Sequence, residues 1–193
     1  MAANKSERLF LPINGLGHYE PEDYKQFCKE TPIPRAALPE YFFNCQPGQR
    51  FIPPMLWLGW NMGSEADLTA FLLKYDPELV SLKPTGGLTD ASLFNLCYAL
   101  YERFDISGEM AELLEMSPIR DEHGEDVWAL TVSCNYTSDC LSDDLIEKIG
   151  KDIGKGEPSW WLDQTNWYWQ PGPHTQAARL AEQGEILITP HLP

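Results

Sequence analysis

What this chain lacks narrows its chemistry first. It has no C-x-x-C pair, no H-E-x-x-H, no G-x-S-x-G elbow and no glycine loop ending in G-K-S/T. Zinc-knuckle, thioredoxin-type, zincin, serine-hydrolase and P-loop readings are therefore unsupported. Asn14-Gly15-Leu16-Gly17 lacks the third glycine and following apolar helix of a dinucleotide loop. The four histidines, His18, His123, His174 and His191, stand far apart with no ligand-spaced partner. No metal or cofactor is expected.

Cations are scarce as well. Fourteen Lys and Arg stand against twenty-nine Asp and Glu, a formal charge of −15. Nucleic-acid binding needs cations to meet phosphates, and an anionic membrane surface makes the same demand, so both are disfavoured. No apolar run approaches the ~20 residues of a membrane helix. The nearest, residues 51–60, is interrupted by Pro53 and Pro54. The segment MAANKSERLF has no apolar signal core, which leads to the expectation of a soluble, cytoplasmic protein. Cysteine is sparse, odd in number and irregularly spaced (Cys28, Cys45, Cys97, Cys134, Cys140). In a reducing compartment such residues act as small buried hydrophobes. Asn4 and Asn135 each open an N-x-S/T triplet, read as chance matches without a secretory signal.

The negative charge is unevenly placed. Residues 101–150 carry thirteen acids against Arg103, Arg120 and Lys148, whereas residues 1–50 balance six acids with six bases. Such a stretch is either a solvated face or a field that steers a basic partner.

Aromatic residues, in contrast, are plentiful. Residues 157–173, EPSWWLDQTNWYWQPGP, hold four of the seven tryptophans within ten positions, together with Tyr168, Asp163 and Asn166. Clustered tryptophans mark a core wall or a recognition surface, and the flanking prolines punctuate the segment as a separate piece. Trp160, Trp161, Asp163, Asn166, Trp167 and Trp169 are the candidate binding residues. Asp163, flanked by tryptophans, is open to three readings: a cap or acceptor for an indole N–H, a binding contact, or a desolvated acid. Stacked rings beside an acid would also suit a sugar.

The remaining pattern predicts α+β structure. Residues 9–13 read as a short strand and residues 21–29 as a helix opened by Pro21. Residues 50–62 read as a strand limited at its start by two prolines, with no polar face in its later half, which is expected to be covered on both sides. Ser64 with Asp67 is a capping box for a helix carrying Leu68, Phe71, Leu72 and Tyr75, which stops before Pro77. Residues 79–82 read as a brief strand, followed by a turn at 83–87. Thr89 opens the clearest helix, to about Phe104, with Leu93, Leu96, Cys97 and Leu100 on its core stripe. Residues 113–129 read as a hairpin turning at Asp121–Gly124, with a helix over 108–116 as the alternative. In the return strand, 126–134, Trp128, Leu130, Val132 and Cys134 face the core. Ser142 caps a further helix, ended by Gly154, with Leu145, Ile149 and Ile153 on one side. Residues 175–183 read as a helix and 185–189 as a last strand.

Neither a repeat nor a linker divides the chain, so residues 1–193 are expected to form one α+β domain. It would hold a mixed or mainly antiparallel sheet with several packed amphipathic helices. Two functions fit. One is an acidic protein that binds a basic protein partner without catalysis, of the inhibitor or immunity type, a likeness of size and charge only. The other is a small enzyme, or a small-molecule or carbohydrate-binding protein, whose pocket is walled by Trp160–Trp169 with Asp163. The motifs decide neither for nor against catalysis, and no catalytic residue is assigned.

Overall fold

The computed structural model describes residues 28–39, 42–43, 51–137, 139–166 and 170–171. Its strands are β1 (Ile33–Pro34), β2 (Phe51–Ile52), β3 (Leu56–Gly63), β4 (Glu115–Arg120), β5 (Asp126–Cys134), β6 (Ser159–Asp163) and β7 (Gln170–Pro171). Its α-helices are α1 (Glu65–Tyr75), α2 (Asp90–Phe104) and α3 (Asp143–Asp152). The fold is α+β: five strands form one antiparallel sheet in the order β1-β6-β3-β5-β4, and β2 pairs with β7 apart from it. The strands expected at 9–13 and 185–189, the helix at 175–183 and most of that at 21–29 lie outside the described residues.

β6 is the strand that closes the sheet. It pairs with β3 along one side, with Trp57 opposite Trp161, and with β1 on the other. Beyond β1 it meets β4, with Ile119 opposite Asp163 and Arg120 opposite Leu162. β3, β5, β4 and β6 therefore make a ring, and the sheet curls on itself. Two cores result from the pleat. Leu56, Leu58, Trp60, Leu130, Val132, Trp160 and Leu162 face the helices and join the main cluster. The opposite face builds a second cluster from strand residues alone: Ile119, Ala129 and Trp161, with Trp57 and Val127 against them.

Gly59 makes the close approach of β3 and β5 possible. A Cβ there would lie 2.3 Å from the Leu130 carbonyl oxygen, and the β3–β5 register shifts beside it. At the end of β5, Asn135 is wholly buried and fully engaged. Its Oδ1 accepts from the Leu56 amide at 2.7 Å, and its Nδ2 donates to the carbonyls of Phe42 (2.8 Å) and Pro54 (2.9 Å). The N-x-T triplet at this position is therefore structural.

The helices obey their caps. Ser64 and Asp67 form the reciprocal box at the start of α1, and Ser142 accepts from the Leu145 amide at the start of α3. Thr89 starts α2 without a side-chain cap bond, and Leu96 and Leu100 beneath it are entirely buried. Tyr75, Arg103 and Asp152 tie the three helices together. Tyr75 donates to Asp152, while Arg103 reaches both Asp152 oxygens at 2.7 Å and lies 5.1 Å from the Tyr75 ring centre. Burial, then Asp152, pushes the Tyr75 hydroxyl up from its ordinary range.

Two expectations change in detail. Residues 108–113 are a 3-10 turn and the hairpin begins at Glu115, so each reading of 108–116 describes one half. The strand expected at 79–82 is instead a 3-10 turn at Pro77–Leu79 followed by one bridge, Leu82 to Leu88. That bridge closes the 83–87 turn, where the Leu88 amide donates to Glu65 Oε1 at 2.6 Å. The hairpin turn forms as expected, with Gly124 at φ 83° and Asp121 Oδ1 accepting the His123 and Glu125 amides.

Candidate functional site

The described half of the tryptophan segment is built into the sheet. Trp160 is buried, donates its indole N–H to the Arg35 carbonyl at 3.1 Å and meets Phe43 edge-on at 5.7 Å. Trp161 is buried against the inner cluster and donates to the Gly59 carbonyl at 3.1 Å. Asp163 is also buried and accepts three hydrogen bonds. Oδ2 takes the Trp57 indole N–H at 2.8 Å, and Oδ1 takes the amides of Thr165 (2.9 Å) and Asn166 (2.6 Å). Its carboxylate thus joins β3 to the turn after β6. Asn166 completes that join, since its carbonyl accepts the Met55 amide at 2.8 Å. Trp167 and Trp169 lie outside the described residues.

A different surface is left open. Between α2, the 3-10 turn at Gly108–Leu113 and the β4–β5 hairpin lies a groove of about 730 Å³. One wall is the α2 stripe of Phe94, Tyr98 and Tyr101, at the i, i+4, i+7 spacing that puts side chains on one helix face. The floor holds Leu114, Met116 and Trp128, with Pro118 at the side. Phe94 and Tyr98 are 64% and 63% exposed, more than any other large hydrophobic residue described. The only charged side chains lining the groove are Asp90, Glu112 and Glu115, all exposed and without an ion-pair partner among the described residues. No cation lines it.

The groove is braced by hydrogen bonds, and its thiol is unreactive. Tyr101 fixes the 3-10 turn by donating towards the carbonyls of Ala111 and Leu114, each at 2.5 Å. Tyr98 stands at 83° to that ring, 5.8 Å away. Burial pushes the Tyr101 hydroxyl up to about 12 and keeps it a donor. Cys97, on the floor, has its thiol pushed up to about 12 by burial and then by the Glu115 charge, so it is a neutral thiol at pH 7. Cys97, Cys134 and Cys140 are free thiols. A smaller cleft of about 460 Å³ holds Arg35, Lys151 and Lys155, but Arg35 pairs with Asp143 and Lys151 with Glu147, both at 2.5 Å.

No family model matches the chain, and searches of curated proteins and of solved structures return no match either. Its function has to be argued from its own residues. No group of three or more His, Cys, Asp and Glu residues placed to hold a metal ion occurs among the described residues, and none of their helices is long and apolar enough to cross a membrane. Sequence reasoning passed over the groove because α2 is apolar on two faces. Leu93, Leu96 and Leu100 account for the core, but Phe94, Tyr98 and Tyr101 form a second stripe at the same spacing. That second stripe was the available signal.

Proposed function

We propose that this is an acidic, cytoplasmic protein that binds a basic protein partner through the α2 groove, without catalysis, in the manner of an inhibitor or immunity protein. The observation that carries the reading is an exposed aromatic stripe beside a groove whose only charges among the described residues are three carboxylates. Exposed clustered aromatics supply buried anchors in interfaces, and they set the lifetime of the complex. The surrounding acids of residues 101–150 supply the steering field, which acts within ~8 Å at physiological ionic strength. Trp160, Trp161 and Asp163 already serve the sheet, which leaves the groove as the better surface.

Affinity capture from a native lysate tests this, with wild type and the Phe94→Ala/Tyr98→Ala variant as paired baits at low and high salt. Both residues are exposed, so the variant should fold normally. The expected result is a basic protein held by wild type, lost at high salt and lost with the variant. An anchor pair worth at least ~2 kcal/mol weakens binding roughly 30-fold when removed. Equal retention by both baits refutes the groove. A small molecule that raises the melting temperature through Asp163, with no protein retained, refutes the partner-binding reading altogether.

A further inference from the structure

The hydrogen-bond donors of the groove indicate the shape of its occupant. Of the five described tryptophans, four give their indole N–H to the fold: Trp57 to Asp163, Trp60 to the Gly156 carbonyl, Trp160 to that of Arg35 and Trp161 to that of Gly59. Trp128 is the exception. It lines the groove, half-buried, and its N–H has no partner among the described residues. The Tyr98 hydroxyl, of another residue lining the groove, is likewise without a hydrogen-bond partner among them. A ligand that covers these donors without offering acceptors would leave them unsatisfied at a cost, so the groove is suited to a ligand that brings acceptors.

We propose that the groove holds a proline-rich segment in the polyproline II conformation that carries a lysine or arginine. This deepens the protein-binding reading above and rests on it. A helical ligand uses its main-chain carbonyls internally and has none to offer Trp128. A strand added along β4 meets Pro118, which has no N–H and whose carbonyl already accepts the Gln164 amide at 3.3 Å. A polyproline II segment leaves every carbonyl free, and its rings pack on aromatic faces. The perpendicular Tyr98 and Tyr101 rings, with Phe94 and Trp128, provide those faces. Asp90, Glu112 and Glu115 at the rim complement a cationic residue, which an acidic or neutral proline-rich segment would lack. The segment is also pre-ordered, so little conformational freedom is lost on binding.

Titration of the ¹⁵N-labelled full chain tests this by its seven indole cross-peaks, with that of Trp128 assigned from Trp128→Phe. The probes are a panel of P-x-x-P peptides with one arginine walked through every position, the same panel with glutamate for arginine, and an alanine-rich amphipathic helical peptide of equal positive charge. The expected result is that an arginine peptide moves the Trp128 cross-peak more than the other indoles. Trp128→Phe should weaken that peptide about 2- to 10-fold, the cost of one neutral hydrogen bond. The glutamate version should bind more weakly than its arginine parent. Tighter binding of the helical peptide at Trp128 overturns the polyproline assignment and leaves the protein-binding reading intact. Silence from every peptide also overturns it. In that case the paired baits decide the broader reading separately: a partner lost with Phe94→Ala/Tyr98→Ala keeps protein binding, and equal retention removes both.

Discussion

Asp163→Asn is the most informative single change, because it separates a structural carboxylate from a reactive one. In the native chain one oxygen takes the Trp57 indole N–H and the other takes the Thr165 and Asn166 amides. Asparagine has only one acceptor atom. If that atom keeps the two amides, its NH₂ group faces the indole donor and one charge-assisted bond is lost. Such bonds contribute about 1.5–3 kcal/mol, and the two that remain weaken as the charge disappears. The expected destabilisation is therefore about 2–3 kcal/mol. Trp57→Phe removes the donor and leaves an oxygen of Asp163 unpaired, at about 1–3 kcal/mol. The double variant should cost less than the sum, with a coupling of about 1–2 kcal/mol, since the two side chains share the lost bond. Urea titration followed by far-UV circular dichroism measures all three as midpoint shifts at constant slope. An Asp163→Asn protein within ~0.5 kcal/mol of wild type, or strictly additive costs, would show that the carboxylate does not hold β3 to the turn after β6.

Two further outcomes test the core and its titrating groups. Leu96→Ala and Leu100→Ala, both at fully buried sites, should each cost about 2–5 kcal/mol in the same titration, and less than ~1 kcal/mol for both would mean that the wrong face of α2 has been placed inward. Stability should fall as pH rises from about 9 towards 12, because the unfolded Cys97 thiol ionises near 9.0 whereas burial holds the folded one up to about 12, so the unfolded state loses its proton first. Tyr101, ordinarily near 10.0 and pushed up to about 12, adds to the same limb. Cys97→Ala should flatten the decline, and an unchanged slope in that variant would contradict the assignment.

The parts of the fold legible in sequence are those governed by local chemistry. Ser64 with Asp67, Ser142, Gly124 and Gly154 each carry a cap or turn signal, and each is found in that role. The faces of β5 follow its alternation as far as Val132: Leu130 and Val132 enter the main core and Trp128 packs against it. Cys134, expected on the same face, is half-buried opposite Trp57 and outside that cluster, because the β3–β5 register shifts before it. β6 was not legible as a strand, because both of its faces are buried. Trp160 and Leu162 go to one core, Trp161 and Asp163 to the other side, and no polar alternation survives. The ring closure from β6 to β4 depends on residues far apart in sequence, Ile119 opposite Asp163 and Arg120 opposite Leu162, and no local signal carries it. The weight placed on the tryptophan cluster as a site came from density alone. Density marks burial as readily as recognition, and what separates the two is whether each N–H already has an acceptor.

That distinction also bears on how an acidic chain can carry an uncovered aromatic groove. A contiguous apolar patch ordinarily invites association with another copy. Here every charge lining the groove among the described residues is negative, and the chain as a whole carries −15, so two copies approaching groove to groove meet mutual repulsion. The same carboxylates that oppose a second copy would attract the proposed basic ligand, so one set of charges would act on both sides of the choice. Elsewhere the acids are partly offset. On α3, Asp144 pairs with Lys148 and Glu147 with Lys151, and Arg120 pairs with Asp126 at the hairpin. Asp90, Glu112 and Glu115 have no cation beside them among the described residues. Many acids of this chain are uncompensated, and the three at the groove lie beside its exposed aromatic rings, the arrangement that the proposed basic ligand would require.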